Sequence, residues 1–231
     1  MPRKRSPGRL DRIAEAAIDV FTRQGFARAK IAAIADVAHV GPGTIYLYAE
    51  SKEALFDLAL RRALEDPEIW RIELPHRTPA RGDIADHVWR CLQNAAQFPR
   101  LWLAIDSPPP RAIRDEVAGI LQELTGWLTR YRRAIKLIER SASDWPDVSQ
   151  VFYRRFWRGG VRRIAEYLTR RTGERLLPPH RDPLVQAHFL VEALTWTAVH
   201  RHWAEDSAAL EEEQVVTTVQ AMLLEAIVGG T

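Results

Sequence analysis

Apolar residues recur at helical spacing from the start of the chain. Leu10, Ile13, Ala14, Ala17, Val20 and Phe21 fall on one face, with Asp11, Arg12, Glu15 and Asp19 elsewhere, which predicts a first amphipathic helix. Gly25 is a natural C-terminal stop. Ile31, Ile34, Ala35 and Ala38 repeat the spacing and predict a short second helix. Gly41-Pro42 then opens a third, with glycine at the cap and proline at the first helical position, where a missing N–H costs nothing. Ser51 can cap a fourth helix, whose inner face is Leu55, Phe56, Ala59, Leu60 and Ala63.

Beyond residue 66 the pattern stays helical and the breaks are made by proline. Helices are predicted at 82–97, 112–142, 147–171, 183–204 and 208–228, with a short helical turn after Pro99. No Val/Ile/Thr alternation supports a strand. The expected fold class is all-α: an N-terminal three-helix helix-turn-helix unit joined to a larger helical bundle. Gly159-Gly160 weakens the helix at 147–171 and reads either as a kink or close helix crossing, or as a ligand-responsive hinge.

Composition narrows the class. No apolar run is long enough to span a bilayer, and no signal-peptide core follows the basic N-terminus. The single cysteine, Cys91, excludes an intramolecular disulfide and a zinc thiolate cluster, so a reducing cytoplasm is expected. Net charge is only +3, but its placement is uneven. Residues 1–52 carry nine Lys/Arg against five Asp/Glu, whereas the remainder carries 24 against 25. The excess positive charge sits on the N-terminal unit, as expected if that unit meets phosphates.

The third helix offers the chemistry to match. Gly43 permits close backbone approach, Thr44 can donate to a phosphate or a base edge, and Tyr46 and Tyr48 carry hydroxyls on rigid rings. Lys52 adds a cation, while Ile45 points inward as an anchor. Half-buried packing of the two tyrosines and the threonine is the bland alternative.

The stretch Gly25-Phe26, Ile31 to Ala38, Gly43-Thr44-Ile45-Tyr46-Leu47-Tyr48 and Ser51-Lys52-Glu53-Ala54-Leu55 resembles the helix-turn-helix of the TetR family of bacterial repressors. The likeness covers about residues 9–60. It implies a DNA-binding domain at 1–50 and a helical ligand-binding and dimerisation domain at 51–231. It also implies a homodimer that represses from a near-palindromic double-stranded DNA operator until a small molecule binds. The DNA-contacting residues it implies, together with the residue reading, are Lys30, Gly41, Pro42, Gly43, Thr44, Tyr46, Leu47, Tyr48 and Lys52. The basic arm Arg3, Lys4 and Arg5 would reach the neighbouring minor groove.

Four positions depart from the family pattern. Ala29 stands where Thr is common, Gly41 where Ser is common, Leu47 where His or another polar residue is usual, and Ala49 where Phe is usual. Leu47 cannot hydrogen-bond a base but can touch a thymine methyl.

In the remainder, aromatic residues are dense. Trp102, Trp127, Tyr131, Phe152 and Phe156, with His87 and Cys91, suit a largely apolar effector pocket, although plain core packing would use the same residues. Phe189, Ala193, Trp196 and Thr197 on one helix, with Val219, Met222, Leu223 and Ala226 on the last, are candidates for a dimer seam. A twofold axis there would set two recognition helices about 34–36 Å apart, one DNA turn, or a longer family-specific distance.

An enzyme is the rival class, and the sequence argues against it. There is no His-Glu-x-x-His, P-loop or Gly-x-Ser-x-Gly motif, and His200 and His202 face apart on a helix. No catalytic residue, metal or cofactor is expected. A helical module that binds only protein, without sequence-specific DNA binding, remains the other reading.

Overall fold

A computed structural model describes residues 7–80, 82–179, 182–204, 206 and 210–229. The basic arm Arg3, Lys4 and Arg5 lies outside the described residues. Among those described, the fold is all-α, and the only extended pairing is an isolated bridge between Ala49 and His76. The helices are α1 (Pro7–Gln24), α2 (Ile31–Val37), α3 (Pro42–Ile45), α4 (Lys52–Ala63), α5 (Asp83–Ala95) and α6 (Pro99–Asp106). They continue as α7 (Ile113–Arg130), α8 (Arg132–Arg140), α9 (Pro146–Ser149), α10 (Arg158–Gly173), α11 (Pro183–Ala198) and α12 (Glu212–Val228). No helix among these residues is long and apolar enough to cross a membrane.

The chain divides into two compact units. The first joins residues 1–95 to 133–154; the second joins 96–132 to 155–231. In the first, α1 packs on α2 and α4 and buries Leu10, Ile13, Ala14, Ala17, Val20 and Phe21. Gly25 ends α1 at φ +76°, and its N–H bonds back to the Phe21 carbonyl at 2.8 Å. A Cβ there would sit 3.1 Å from the Arg140 carbonyl oxygen, so glycine is demanded twice.

The region 133–154 holds the end of α1 in place. The Arg140 guanidinium donates to the carbonyls of Thr22 and Arg23, two groups in the last turn of α1 that have no helical partner. Arg133 pairs with Glu15 and Asp19. The Asp144 carboxylate accepts from the Ala27 N–H at 2.9 Å. Trp145 stacks on Phe56 with ring centroids 5.3 Å apart, and Phe21 and Phe26 meet Phe56 edge-on. Trp145, half-buried, therefore packs with the aromatic residues of the N-terminal helices.

In the second unit α7 packs on α6, α11 and α12, and α10 packs on α6 and α11. Its polar centre is Arg171, which has no exposed surface. The guanidinium reaches both carboxylate oxygens of Glu116 at 2.8 and 2.9 Å, Glu174 at 2.7 Å, and the Ala104 carbonyl at 2.8 Å. Tyr167 donates to the same Glu116 at 3.0 Å.

Several predicted elements change form. The helix expected at 112–142 is two helices, with the turn at Tyr131. No proline or glycine makes that break; the chain passes from one compact unit to the other there. The helix expected at 147–171 opens as α9, continues as a π-helical stretch over Gln150–Trp157 and becomes α10. Gly159 and Gly160 have no neighbour within 4 Å of an added Cβ, so no close helix crossing requires them. The expected 183–204 helix ends at Ala198, followed by a 3-10 turn at His200–Trp203.

Candidate nucleic-acid interface

The second and third helices are short, and each begins without a side-chain cap. Lys30 precedes α2 in an extended conformation and Gly41 precedes α3 likewise. The absent hydroxyls at Ala29 and Gly41 leave these starts to the backbone, where the Thr44 N–H bonds to the Gly41 carbonyl at 2.8 Å. Ser51 caps α4 as its position predicts, accepting from the Ala54 N–H at 3.1 Å.

This segment divides cleanly into an inner and an outer side. Ile45 and Ala49 are buried, while Gly41, Pro42, Gly43, Tyr46 and Leu47 are exposed and Thr44 is half-buried. Tyr46 is 52% exposed. An added Cβ at Gly43 would meet nothing within 4 Å, so nothing in the chain itself requires glycine there. Lys30 is exposed at the start of α2.

Tyr48 departs from the sequence expectation. Its ring is buried, at 1% exposure, and cannot present a face to a ligand outside. Helical structure ends at Ile45, and the turn that follows carries Tyr48 to the same inner side, three residues on. Lys52 is half-buried, and its ammonium donates to the carbonyls of Ala27 at 3.1 Å and Ala29 at 3.3 Å over the Phe26 ring. Two of its three donors thus tie the α1–α2 turn to α4.

A loop from the same unit braces the exposed segment. The His76 N–H donates to the Tyr48 carbonyl at 2.8 Å, and the Glu50 N–H to the His76 carbonyl at 3.0 Å. Thr78 adds bonds to Glu50 and Ser51. The His76 imidazole donates to Asp57 on α4 at 2.7 Å, and Asp57 also accepts from Arg61 at 2.7 Å. Burial pushes the Asp57 carboxyl up, but the His76 hydrogen bond and the Arg61 charge outweigh it and hold the pKa below 3.8. The charged form is therefore the one the fold favours. Its contribution to stability is complete above pH 3.8 and is lost as pH falls through the lower folded value. Urea titrations at successive pH values should show wild-type stability falling in that acid range. Asp57→Asn should be less stable at pH 7 and lose less on acidification; an unchanged acid slope would remove Asp57 from this role.

These helices match a known pattern. Residues 13–59 match the bacterial regulatory proteins of the tetR family. Over that stretch the chain is similar to the TetR family of bacterial regulatory proteins. Family members are DNA-binding regulators, and α2 and α3 form the helix-turn-helix. The TetR-like architecture extends over the whole chain. The ketosteroid transcriptional regulator KstR2 of Mycobacterium tuberculosis shares 16% identity, with a TM-score of 0.59 over 98% of each chain. AibR, solved in complex with isovaleryl coenzyme A and operator DNA, shares 15% identity with a TM-score of 0.55 over 94% of this chain and 98% of its own. A TetR-like regulator from Rhodococcus sp. RHA1 shares 19% identity with a TM-score of 0.52 over 97% and 98%. At these identities the likeness concerns the fold. No curated protein sequence matches the chain.

The other candidate residues fall on both compact units. Trp102, Trp127, Tyr131 and Phe156 come together in the second. Trp127 lies 5.1 Å from Tyr131 and 5.3 Å from Phe156 between ring centroids, and Phe98 links Trp127 to Trp102. His87, Cys91 and Phe152 belong to the first unit. On α11, Phe189 is 67% exposed and Trp196 is also exposed; on α12, Met222 is 66% exposed and Ala226 is exposed. Ala193 and Val219 are half-buried. Thr197 and Leu223, expected beside them, are buried in the chain's own core, because each lies one position round the helix from the exposed stripe.

Proposed function

We propose that the exposed side of α3 and the turn after it read DNA, and that the chain represses transcription from a near-palindromic operator as a homodimer. Thr44 and Tyr46 hold phosphates in this reading, Leu47 touches a base methyl, Gly43 allows the DNA backbone to come close, and Lys30 adds a cation. Gly41 and Pro42 set the start of α3. Lys52 has one donor left for a phosphate, so its main part is to position the α1–α2 turn. The observation that carries the reading is the exposure of Tyr46 and Leu47 on a segment anchored from beneath by Ile45, within the matched family region. The roles divide at residue 50, with DNA contact before it, Lys52 apart, and effector binding and dimerisation after it. The proposed setting is the cytoplasm, and the proposed activity is not enzymatic.

The exposed apolar stripe of Phe189, Trp196, Met222 and Ala226 supports pairing of two copies through α11 and α12. Replacing Phe189 and Met222 together with arginine should shift the sedimenting mass from twice that of the chain to once. Operator affinity should fall at least tenfold in parallel, because each half-site is then bound alone. A variant that stayed dimeric would move the seam elsewhere.

The inducer is a small, largely apolar molecule in this reading, and the cluster of Trp102, Trp127, Tyr131 and Phe156 supports an aromatic-lined site. Phe156→Ala should alter release by inducer and leave unliganded operator affinity nearly intact. Loss of both, or of neither, would make the ring a packing residue only. The test of the whole reading is selection of duplexes from a random pool by the purified protein. Recovery of an inverted repeat supports it, and recovery of no common sequence refutes it.

A further inference from the structure

Asp66, His87 and Cys91 meet inside the first compact unit, all three buried. Asp66 leads the 3-10 turn at Pro67–Arg71, while His87 and Cys91 stand one helical turn apart on α5. The Cys91 Sγ lies 3.1 Å from His87 Nε2, which lies 3.2 Å from Asp66 Oδ2, and the three ligand atoms all fall within 4.8 Å of one another. Tetrahedral zinc, with bonds of about 2.0–2.3 Å, sets its ligand atoms roughly 3.2–3.6 Å apart. We propose that Asp66, His87 and Cys91 form a binding site for a zinc-class divalent cation, with a fourth position open to water.

The donor set decides the class of ion. A carboxylate, an imidazole and a thiolate together suit zinc or cobalt(II) and do not suit magnesium or calcium, which take oxygen ligands. A purely structural hydrogen-bond network accounts for the cluster less well. The His87 Nδ1 is buried with no partner, and a thiol is a weak donor to place beside an imidazole and a carboxylate. Binding converts thiol and M²⁺ into metal thiolate and one released proton, with no change of oxidation state.

The site also has a route to the exposed segment. Arg61 donates to Asp66 Oδ2 at 3.0 Å and to Asp57 at 2.7 Å, Asp57 holds the His76 ring, and the His76 backbone bonds to Tyr48 and Glu50. An ion that takes Asp66 from Arg61 changes the charge balance at Asp57 and hence the brace behind α3. This regulatory part rests on the DNA-binding reading above.

Chelator-stripped, full-length protein titrated with cobalt(II) under reducing conditions, without DNA, tests the site. One equivalent should produce a thiolate-to-cobalt charge-transfer band that one equivalent of zinc abolishes. Cys91→Ser should lose the band, and Asp66→Asn should weaken binding at least tenfold, with circular dichroism verifying that both remain folded. A wild-type spectrum identical to that of Cys91→Ser would overturn the site. In a second arm, zinc should change wild-type affinity for a selected duplex at least threefold and leave Cys91→Ser unaffected. Equal affinities would overturn the coupling. Failure to bind any duplex, with the cobalt band intact, would instead count against the DNA-binding reading.

Discussion

Replacing Tyr46 with alanine is expected to weaken binding to a selected operator duplex by roughly tenfold or more, the cost of losing one good contact. The thermal unfolding midpoint should move little, because the residue is 52% exposed. Tyr46→Phe separates the two uses of the side chain. If the hydroxyl binds a phosphate, phenylalanine behaves like alanine and the loss is nearly equal on specific and nonspecific duplexes. If the ring packs on sugar or base, phenylalanine retains most of the affinity. Anisotropy titrations at two or three salt concentrations resolve these cases. Unchanged affinity in Tyr46→Ala would remove Tyr46 from the interface.

The second large effect lies far from that surface in sequence. Arg171→Ala should cost about 3–5 kcal/mol, the range for removing one partner from a buried ion pair. The reason is what remains behind: Glu116, Glu174, the Tyr167 hydroxyl and the Ala104 carbonyl all lose a donor or the charge that oriented them. Arg171→Lys should recover little, since an ammonium cannot span both oxygens of Glu116 while also reaching Glu174 and Ala104. Replacing Arg171 and Glu116 together with apolar residues should be far less harmful than Arg171→Ala, as no buried charge is then stranded. Urea denaturation measures all three. A loss under 1 kcal/mol in Arg171→Ala would mean that water replaces the guanidinium at little cost. A severe loss should also weaken dimerisation, because α10 packs on α11, which carries Phe189 and Trp196.

Much of this was legible in sequence where local rules and tertiary packing agree. The period of Leu10 to Phe21, the stop at Gly25 and the Ser51 cap all placed helices where they stand. Tyr46 and Tyr48 looked alike as residues, and only the end of α3 at Ile45 separates an exposed ring from a buried one. Lys52 was visible as a cation near the reading segment, but nothing local revealed that two backbone carbonyls would claim it. The division at Tyr131 escaped because it follows from packing across distant segments rather than from a helix breaker. The same holds for Asp66. The sequence assigns His87 and Cys91 to an apolar effector pocket, and nothing local shows that Asp66 meets them from a different element. Nothing local to Trp145 shows that the fold sets it against Phe56.

One measurement bears on the reading segment most directly. A photoreactive amino acid placed at Leu47, 39% exposed in the turn after α3, should crosslink the full-length protein to bases of the selected duplex. The same group at Leu103, also exposed, should not. Efficient base crosslinking from position 47 alone is the outcome predicted. Crosslinking from position 103 but not from 47, in protein that still binds the duplex, would show that another surface reads the DNA.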